Sequence, residues 1–186
     1  MNHLATSKED ILAASRDLIK ENGWAAVSIR AVASRCSVSA GTIYNYYESK
    51  ADLLSDTIES IWHEIFFHPE DEQVFHDVES CISWIYERLE YGNRQFPGFF
   101  SLHSFGFMRD EKTSGKKRMM KTWGHILNGL CEVLGNDPKV RADVFDQEFT
   151  EKKFADILFS LILVSMIRQD YDPPPVLGLV RLTWHV

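Results

Sequence analysis

The chain has 186 residues, of which 45% are apolar and 25% are charged, and its formal net charge is −7. This composition is typical of a soluble globular protein, and the acidic balance excludes a uniformly basic nucleic-acid-binding chain. The longest apolar run, residues 157–167, has eleven residues, whereas a helix needs about 20 to cross a bilayer. The run therefore predicts a buried helix, not a membrane span.

Two further features of the sequence bear on the cellular compartment and on whether a cofactor is expected. The N-terminus lacks a basic start followed by an apolar run, so no secretory signal is expected. Cys36, Cys81 and Cys131 are odd in number and far apart, which fits a reducing compartment better than disulfides or a Cys-x-x-Cys metal site. We expect a cytoplasmic protein with no cofactor and no metal, whose cysteines are small buried residues.

The N-terminal third predicts four helices. Apolar residues recur at three-four spacing over residues 7–22, Ser7 and Asp10 resemble a capping pair, and Gly23 ends the run. Three shorter segments each follow a serine that can accept a hydrogen bond from the first turn. They are Ser28 before residues 29–35, Ser39 before a helix to about residue 46, and Ser49 before residues 50–67.

Two short helices joined by a tight turn, after a longer helix, form a helix-turn-helix, whose second helix lies in the DNA major groove. Residues 39–42 are small enough to let the backbone approach the bases, and Thr42 offers a hydroxyl and a methyl. Tyr44 and Tyr46 end in hydroxyls suited to phosphates, and Lys50 can neutralise another phosphate.

Residues 8–60 resemble the N-terminal domain of the TetR family of bacterial transcriptional repressors. The resemblance is carried by Gly41-Thr42-Ile43-Tyr44, by Tyr47, and by Ser49-Lys50 before Leu53-Leu54. It implies double-stranded operator DNA, a small-molecule effector and a second copy of the chain as partners. The DNA contacts that it implies are Ser28, Arg30, Ser39, Gly41, Thr42, Tyr44, Tyr46 and Lys50.

One position departs from the family pattern. The turn usually contains a glycine where this chain has Ser37, and that position often needs a left-handed backbone. A serine in that conformation costs about 1 kcal/mol of strain. We expect a slightly altered turn within the same fold.

The charge of residues 1–60 keeps an alternative open. Six lysines and arginines stand against eight aspartates and glutamates, so this region does not bind DNA by charge alone. In the alternative, the helix-turn-helix is a packing unit without a nucleic-acid partner.

The rest of the chain predicts further helices, and the resemblance implies an all-helical ligand-binding and dimerisation domain. We assign residues 1–50 to the DNA-binding domain and residues 51–186 to this second domain, linked through the helix at 50–67. The predicted helices are 72–93, 97–109, 113–135, 139–146, 148–169 and one after Pro175.

Aromatic residues favour an apolar ligand pocket in this second domain. Phe96, Phe100, His103 and Phe107 fall on one helical face, which puts one polar group in an apolar stripe. The alternative is that the aromatic residues simply fill the core. The predicted pocket residues are Trp62, Phe66, Trp84, Phe100, His103, Phe107, Trp123 and Leu127.

The helix at 148–169 is apolar on all sides, so it must be covered on all sides. We predict that one side packs on its own domain and the other meets a second copy in a two-fold dimer. The alternative is a helix buried wholly inside a monomer. The predicted interface residues are Phe154, Leu158, Leu161, Ile162 and Ser165.

Enzymatic activity is not expected. His63 and His68 superficially resemble the histidines of a zinc-protease helix, but they are five residues apart instead of four and diverge by roughly 140°. His125 and His185 are expected at the surface. The sequence predicts a ligand-responsive repressor, released from DNA by a small apolar or aromatic molecule. The alternative is a helical ligand-binding or interaction module that does not bind regulatory DNA.

Overall fold

The computed structural model describes residues 6–66, 75–100, 114–141 and 143–184, with the backbone alone at 114–122 and 184. All regular structure in these ranges is helical, which confirms the predicted all-α class. None of the helices there combines the length and apolarity that a membrane span requires. The helices are α1 Lys8–Asn22, α2 Ile29–Arg35, α3 Ala40–Tyr44, α4 Lys50–Phe66, α5 Val78–Gln95, α6 Ser114–Asn136, α7 Glu151–Arg168 and α8 Pro174–Trp184, with a 3-10 turn at Trp24–Ala26.

The serine caps predicted from the sequence are present. Ser7 Oγ accepts a hydrogen bond from the Asp10 amide at 3.1 Å, and the Asp10 carboxylate accepts one from the Ser7 amide at 2.8 Å. These bonds satisfy amide groups that have no partner within the first helical turn. Ser28, Ser39 and Ser49 cap α2, α3 and α4 in the same way.

The turn between α2 and α3 has the left-handed residue that the sequence suggested. Ser37 has φ 57°, and the Val38 amide donates to the Ala33 carbonyl at 2.9 Å to close the end of α2. This geometry fixes the angle between the two helices without a glycine. The side chain of Ser37 is exposed, so the strain is confined to the backbone.

Replacing Ser37 with glycine should raise the free energy of unfolding by about 0.5–1 kcal/mol, because glycine adopts this φ without a Cβ clash. Urea unfolding followed by circular dichroism measures the change. The matched control is Ser34→Gly, at an exposed position inside α2, where glycine should instead destabilise by about 0.5 kcal/mol relative to serine. A destabilised Ser37→Gly variant would contradict the strain assigned to the turn.

Residues 137–141 and 143–149 form turns and not the predicted helix 139–146. Asp137 accepts hydrogen bonds from the amides of Val78 and Lys139, at 2.9 and 2.8 Å. Asp146 accepts from the amides of Glu148 and Phe149. Aspartate side chains that bond to nearby amides favour turns over helices, and the sequence prediction did not weigh this competition. The predicted helix 97–109 lies mostly outside the described residues.

An interdomain contact joins the end of α1 to the end of α4 and to residues 96–100. The Trp24 ring stacks on Phe99, with centroids 5.7 Å apart and planes 14° apart. Glu64 of α4 accepts from Arg16 at 3.0 Å and from Lys20 at 2.6 Å. The helix-turn-helix is therefore held against the larger domain by ring stacking and by a partly buried ion cluster.

Candidate DNA-binding surface and ligand cavity

The first turn of α3 presents a small, polar surface. Ser39 Oγ accepts from the Thr42 amide at 3.2 Å and lies 3.1 Å from Thr42 Oγ1. A Cβ added at Gly41 would meet only Ser39 Oγ, at 3.6 Å, which is an ordinary contact. The fold itself does not require glycine in this helix, where it costs about 1 kcal/mol relative to alanine. The glycine leaves the α3 backbone open to close approach from outside.

Other predicted DNA contacts surround this turn. Tyr44 is 55% exposed, although tyrosine rings usually lose most of their surface to packing. The Ser28 hydroxyl accepts from the Ala31 amide and keeps its own proton for an external acceptor. Arg30 and Lys50 are both exposed.

Tyr46 is placed differently from its prediction as a phosphate contact. Its hydroxyl donates to the carbonyl of Thr6 at 2.7 Å, and the side chain is half-buried. A tyrosine hydroxyl has one proton, so this bond uses the donor that a phosphate would need. Tyr46 fixes the start of α1 to the helix-turn-helix.

The ion pairs of the N-terminal domain explain how an acidic region can offer positive charge. Lys8, Arg16, Lys20 and Arg35 are engaged by carboxylates on α1 or α4. Arg30 and Lys50 form no ion pair with any residue that the structure describes. Both are among the DNA contacts predicted from the resemblance. The two cations of this region that remain available to phosphates are therefore residues already predicted to bind DNA.

A cavity of about 670 Å³ lies between the end of α4, α5 and α6. Its volume falls within the roughly 300–1,000 Å³ range of small-molecule sites. Its wall is mainly aromatic and aliphatic, with polar groups from residue 76 and from the second half of α6. The lining residues are Phe66, Phe75, His76, Cys81, Trp84, Ile85, His125, Ile126, Gly129, Leu130, Glu132, Val133, Asn136 and Pro138.

The cavity offers binding groups but no reactive thiol. Burial raises the pKa of the Cys81 thiol to about 12, so the cysteine stays protonated and behaves as an apolar wall residue. Trp84 lies between two other rings, 6.0 Å from Phe66 and 5.3 Å from Phe75. Within the part of the chain that is described, no three metal-ligating side chains lie close enough to share an ion.

The structure brings together only two of the predicted pocket residues, Phe66 and Trp84. Trp62 and Phe100 are buried in a ring cluster, with centroids 5.6 Å apart, and do not line the cavity. Trp123 packs on Phe159 instead, 5.7 Å away. Leu127 does not line the cavity. His103 and Phe107 lie outside the described residues.

Sequence reasoning missed the polar side of this cavity. His125 is exposed as expected, yet it lines the cavity together with His76. These residues come from the start of α5 and the second half of α6, which are distant in sequence. A usable signal was the spacing of His125, Gly129 and Glu132 along one face of α6.

Most of the predicted interface residues point inward. Phe154, Leu158 and Ile162 are buried within the protomer, and Ser165 Oγ lies 2.8 Å from the Tyr86 hydroxyl. Side chains enclosed by their own chain are not available to a second copy, so the assignments of Phe154, Leu158 and Ile162 are corrected. Leu161 is half-buried and remains on the outer side.

An apolar surface does exist on the last two helices, on other faces. Five large hydrophobic residues of the described chain are exposed, and four of them lie on α7 and α8. Ile157 and Val164 are 44% and 40% exposed, and their spacing of seven residues puts them on the same face of α7. Leu179 and Leu182 of α8 are 39% and 72% exposed. We call these four residues the outer apolar face.

The first similarity to known proteins lies in the helix-turn-helix. The family model for bacterial regulatory proteins of the tetR family matches residues 11–57. UidR, an HTH-type transcriptional regulator of Escherichia coli strain K12, is 38% identical over 48 residues, covering 26% of this chain and 24% of UidR. The match thus spans about a quarter of that protein's length.

The second similarity concerns the whole fold. A transcriptional regulator from Rhodococcus sp. Rha1 superposes with a TM-score of 0.64 at 19% identity, over 91% of this chain and 86% of that one. FadR from Bacillus subtilis, solved in complex with stearoyl-CoA, has a TM-score of 0.59 at 16% identity, over 95% and 94% of the two chains. These identities show a shared fold. The resemblance of the N-terminal region to the tetR family of bacterial regulatory proteins is confirmed by the family model over residues 11–57.

Proposed function

We propose that the protein is a ligand-responsive transcriptional repressor of the cytoplasm, which binds double-stranded operator DNA. The observation that carries this proposal is the pairing of charges around α3. Arg30 and Lys50 have no ion-pair partner among the described residues, while the other cations of the domain are engaged. In sequence they lie on either side of Gly41 and Thr42, in the first turns of α2 and α4, and the proposal assigns phosphate contacts to these two cations and base contacts to the first turn of α3.

A small apolar or aromatic molecule in the cavity is the proposed effector. Phe66 lines the cavity and ends α4, while Lys50 begins the same helix on the DNA side. The helix is continuous over 17 residues, a length of about 25 Å. A ligand that displaces the end of α4 therefore moves a predicted phosphate contact at its other end. The function is one of binding, without a catalytic step.

A homodimer completes the proposal. One helix-turn-helix reads few base pairs, and two-fold dimers place two reading helices about 34–36 Å apart on a palindromic operator. The outer apolar face supports such a dimer, because the exposed leucine, isoleucine and valine side chains of α7 and α8 offer apolar surface that a second copy can bury.

The proposal is tested by a mobility-shift assay with the DNA that flanks the protein's own gene. A specific shift, lost on adding an effector found by thermal-shift screening, supports it. A protein that binds small molecules in the cavity but shifts no DNA would favour the alternative, a helical ligand-binding module without regulatory DNA binding.

Three substitutions separate phosphate contacts from base contacts. Tyr44→Phe and Lys50→Ala should weaken binding to specific and random DNA alike, because phosphates carry no sequence information. Thr42→Ala should relax preference at one operator position by roughly 1–3 kcal/mol, the size of a base contact. Competition shifts with single-base operator variants measure both. Equal losses on specific and random DNA for Thr42→Ala would end its assignment as a base reader.

A further inference from the structure

Among the described residues, the charge that lines the cavity is negative. Among the described lining residues, none is a lysine or arginine, whereas the rim carries the exposed carboxylate of Glu132. The nearest lysine in sequence to the lining residues on this side is Lys139, and it is already occupied, because its Nζ lies 3.0 Å from Asp77 Oδ2. A second carboxylate, Asp137, is 5% exposed and follows the lining residue Asn136 directly. At a pH where histidine side chains are ordinarily neutral, as His76 and His125 of the wall would then be, an anionic ligand would find no cationic partner among these groups.

The hydrogen-bonding groups of the cavity also bear on the class of ligand. The Asn136 amide nitrogen donates to the Glu132 carbonyl at 2.8 Å, so the side-chain oxygen of Asn136 is left to accept from a ligand. The Glu132 carboxylate is an acceptor when ionised. Glu132 and Asn136 therefore present acceptors, and the imidazoles of His76 and His125 each offer one acceptor nitrogen beside a donor when neutral, so a molecule that brings donors finds several partners here.

The apolar wall favours ligands with aromatic rings and can accommodate a positive charge on the ligand. Phe66, Phe75 and Trp84 form a continuous edge-to-face set along one side. Aromatic faces carry partial negative charge, so they attract cations as well as other rings. A carboxylate or phosphate is repelled by the same faces.

We infer that the cavity binds uncharged or cationic aromatic molecules that donate hydrogen bonds, such as aromatic amines, and discriminates against carboxylates and phosphate-bearing ligands. This inference rests on the proposed function, which takes the cavity as the effector site. It separates this chain from FadR of Bacillus subtilis, which shares the fold and was solved with stearoyl-CoA, an anionic ligand.

The test is isothermal titration calorimetry of the full chain with three naphthalene probes of matched size. These are 2-naphthylmethylamine, 2-naphthylmethanol and 2-naphthoate, titrated at about pH 8, where histidine side chains are ordinarily neutral. We expect the amine to bind roughly fivefold more tightly than the alcohol, and the alcohol roughly fivefold more tightly than the acid, as for one partly exposed charge pair. The acid binding as tightly as the amine, or no probe binding at all, would overturn the inference.

Two variants locate the effect. Glu132→Gln should remove the preference for the amine over the alcohol, because glutamine keeps an acceptor oxygen but carries no charge. Gly129→Leu should fill the cavity and weaken all three probes, since a Cβ there meets no atom within 4 Å. Gly124→Leu is the matched control, on the same helix and equally open but outside the cavity wall. Persistence of the amine preference in Glu132→Gln, or equal effects of the two leucines, would contradict the assignment.

The calorimetry contains no DNA, so its outcome is separate from that of the proposed function. Glu132-dependent amine binding with no specific DNA shift would leave the ligand class standing and remove the regulatory role. A specific DNA shift released by an anionic effector would preserve the regulatory role and remove the ligand class.

Discussion

Replacing Leu182 with glutamate is expected to turn a dimer into a monomer at micromolar concentration and to abolish binding to a two-half-site operator. Leu182 is 72% exposed in the protomer, so the substitution leaves the protomer core intact. In the proposed dimer it would bury one uncompensated charge from each copy, which costs several kcal/mol. We expect at least a hundredfold weaker association, measured by sedimentation equilibrium.

Two variants make this result interpretable. Gln95→Glu adds the same charge at an exposed position on α5, away from the outer apolar face, and should leave the mass and operator affinity unchanged. Ile162→Glu places the charge at a residue that is 2% exposed, and should unfold the protomer instead of dissociating it. If the unmodified protein sediments as a 21.5 kDa monomer, the dimer proposal is wrong.

Phe99→Ala should lower the free energy of unfolding by about 3–5 kcal/mol, as for other buried aromatic truncations. Phe99 is fully buried and its ring contacts those of Trp24, Trp62 and Phe100. Removing it opens a void between the helix-turn-helix and the larger domain. Urea unfolding followed by circular dichroism measures the loss.

The matched comparison is Phe145→Ala, which removes a half-buried ring near residues 149 and 154, outside the interdomain contact. Its cost should be smaller, about 1–2 kcal/mol, because less surface leaves water when this ring packs. Tryptophan fluorescence should shift to longer wavelength in Phe99→Ala but not in Phe145→Ala. Equal losses of stability in both variants would mean that the contact between Trp24 and Phe99 adds little.

The helix-turn-helix could be predicted closely because its determinants are local. Ser7, Ser28, Ser39 and Ser49 each bond within the next three residues, so spacing alone is sufficient to find them. Ser37 was recognisable for the same reason, since backbone strain depends on one residue and its neighbours.

The cavity and the outer apolar face depend instead on packing between distant segments. Helix α7 is apolar on all sides, so periodicity gave no means of distinguishing Phe154, Leu158 and Ile162, which face inward, from Ile157 and Val164, which face outward. The cavity likewise depends on how α5 and α6 meet, which no single helical pattern encodes.

The stacking of Trp24 on Phe99 sets a limit on modular engineering. Chimeric sensors are made by grafting the DNA-reading part of one regulator onto the sensing part of another. A graft that ends at residue 50 or 66 contains Trp24, Arg16 and Lys20 but does not contain Phe99. The receiving protein must supply an equivalent ring and, for the earlier cut, an equivalent of Glu64. A junction after residue 100 keeps both halves of the contact in one piece.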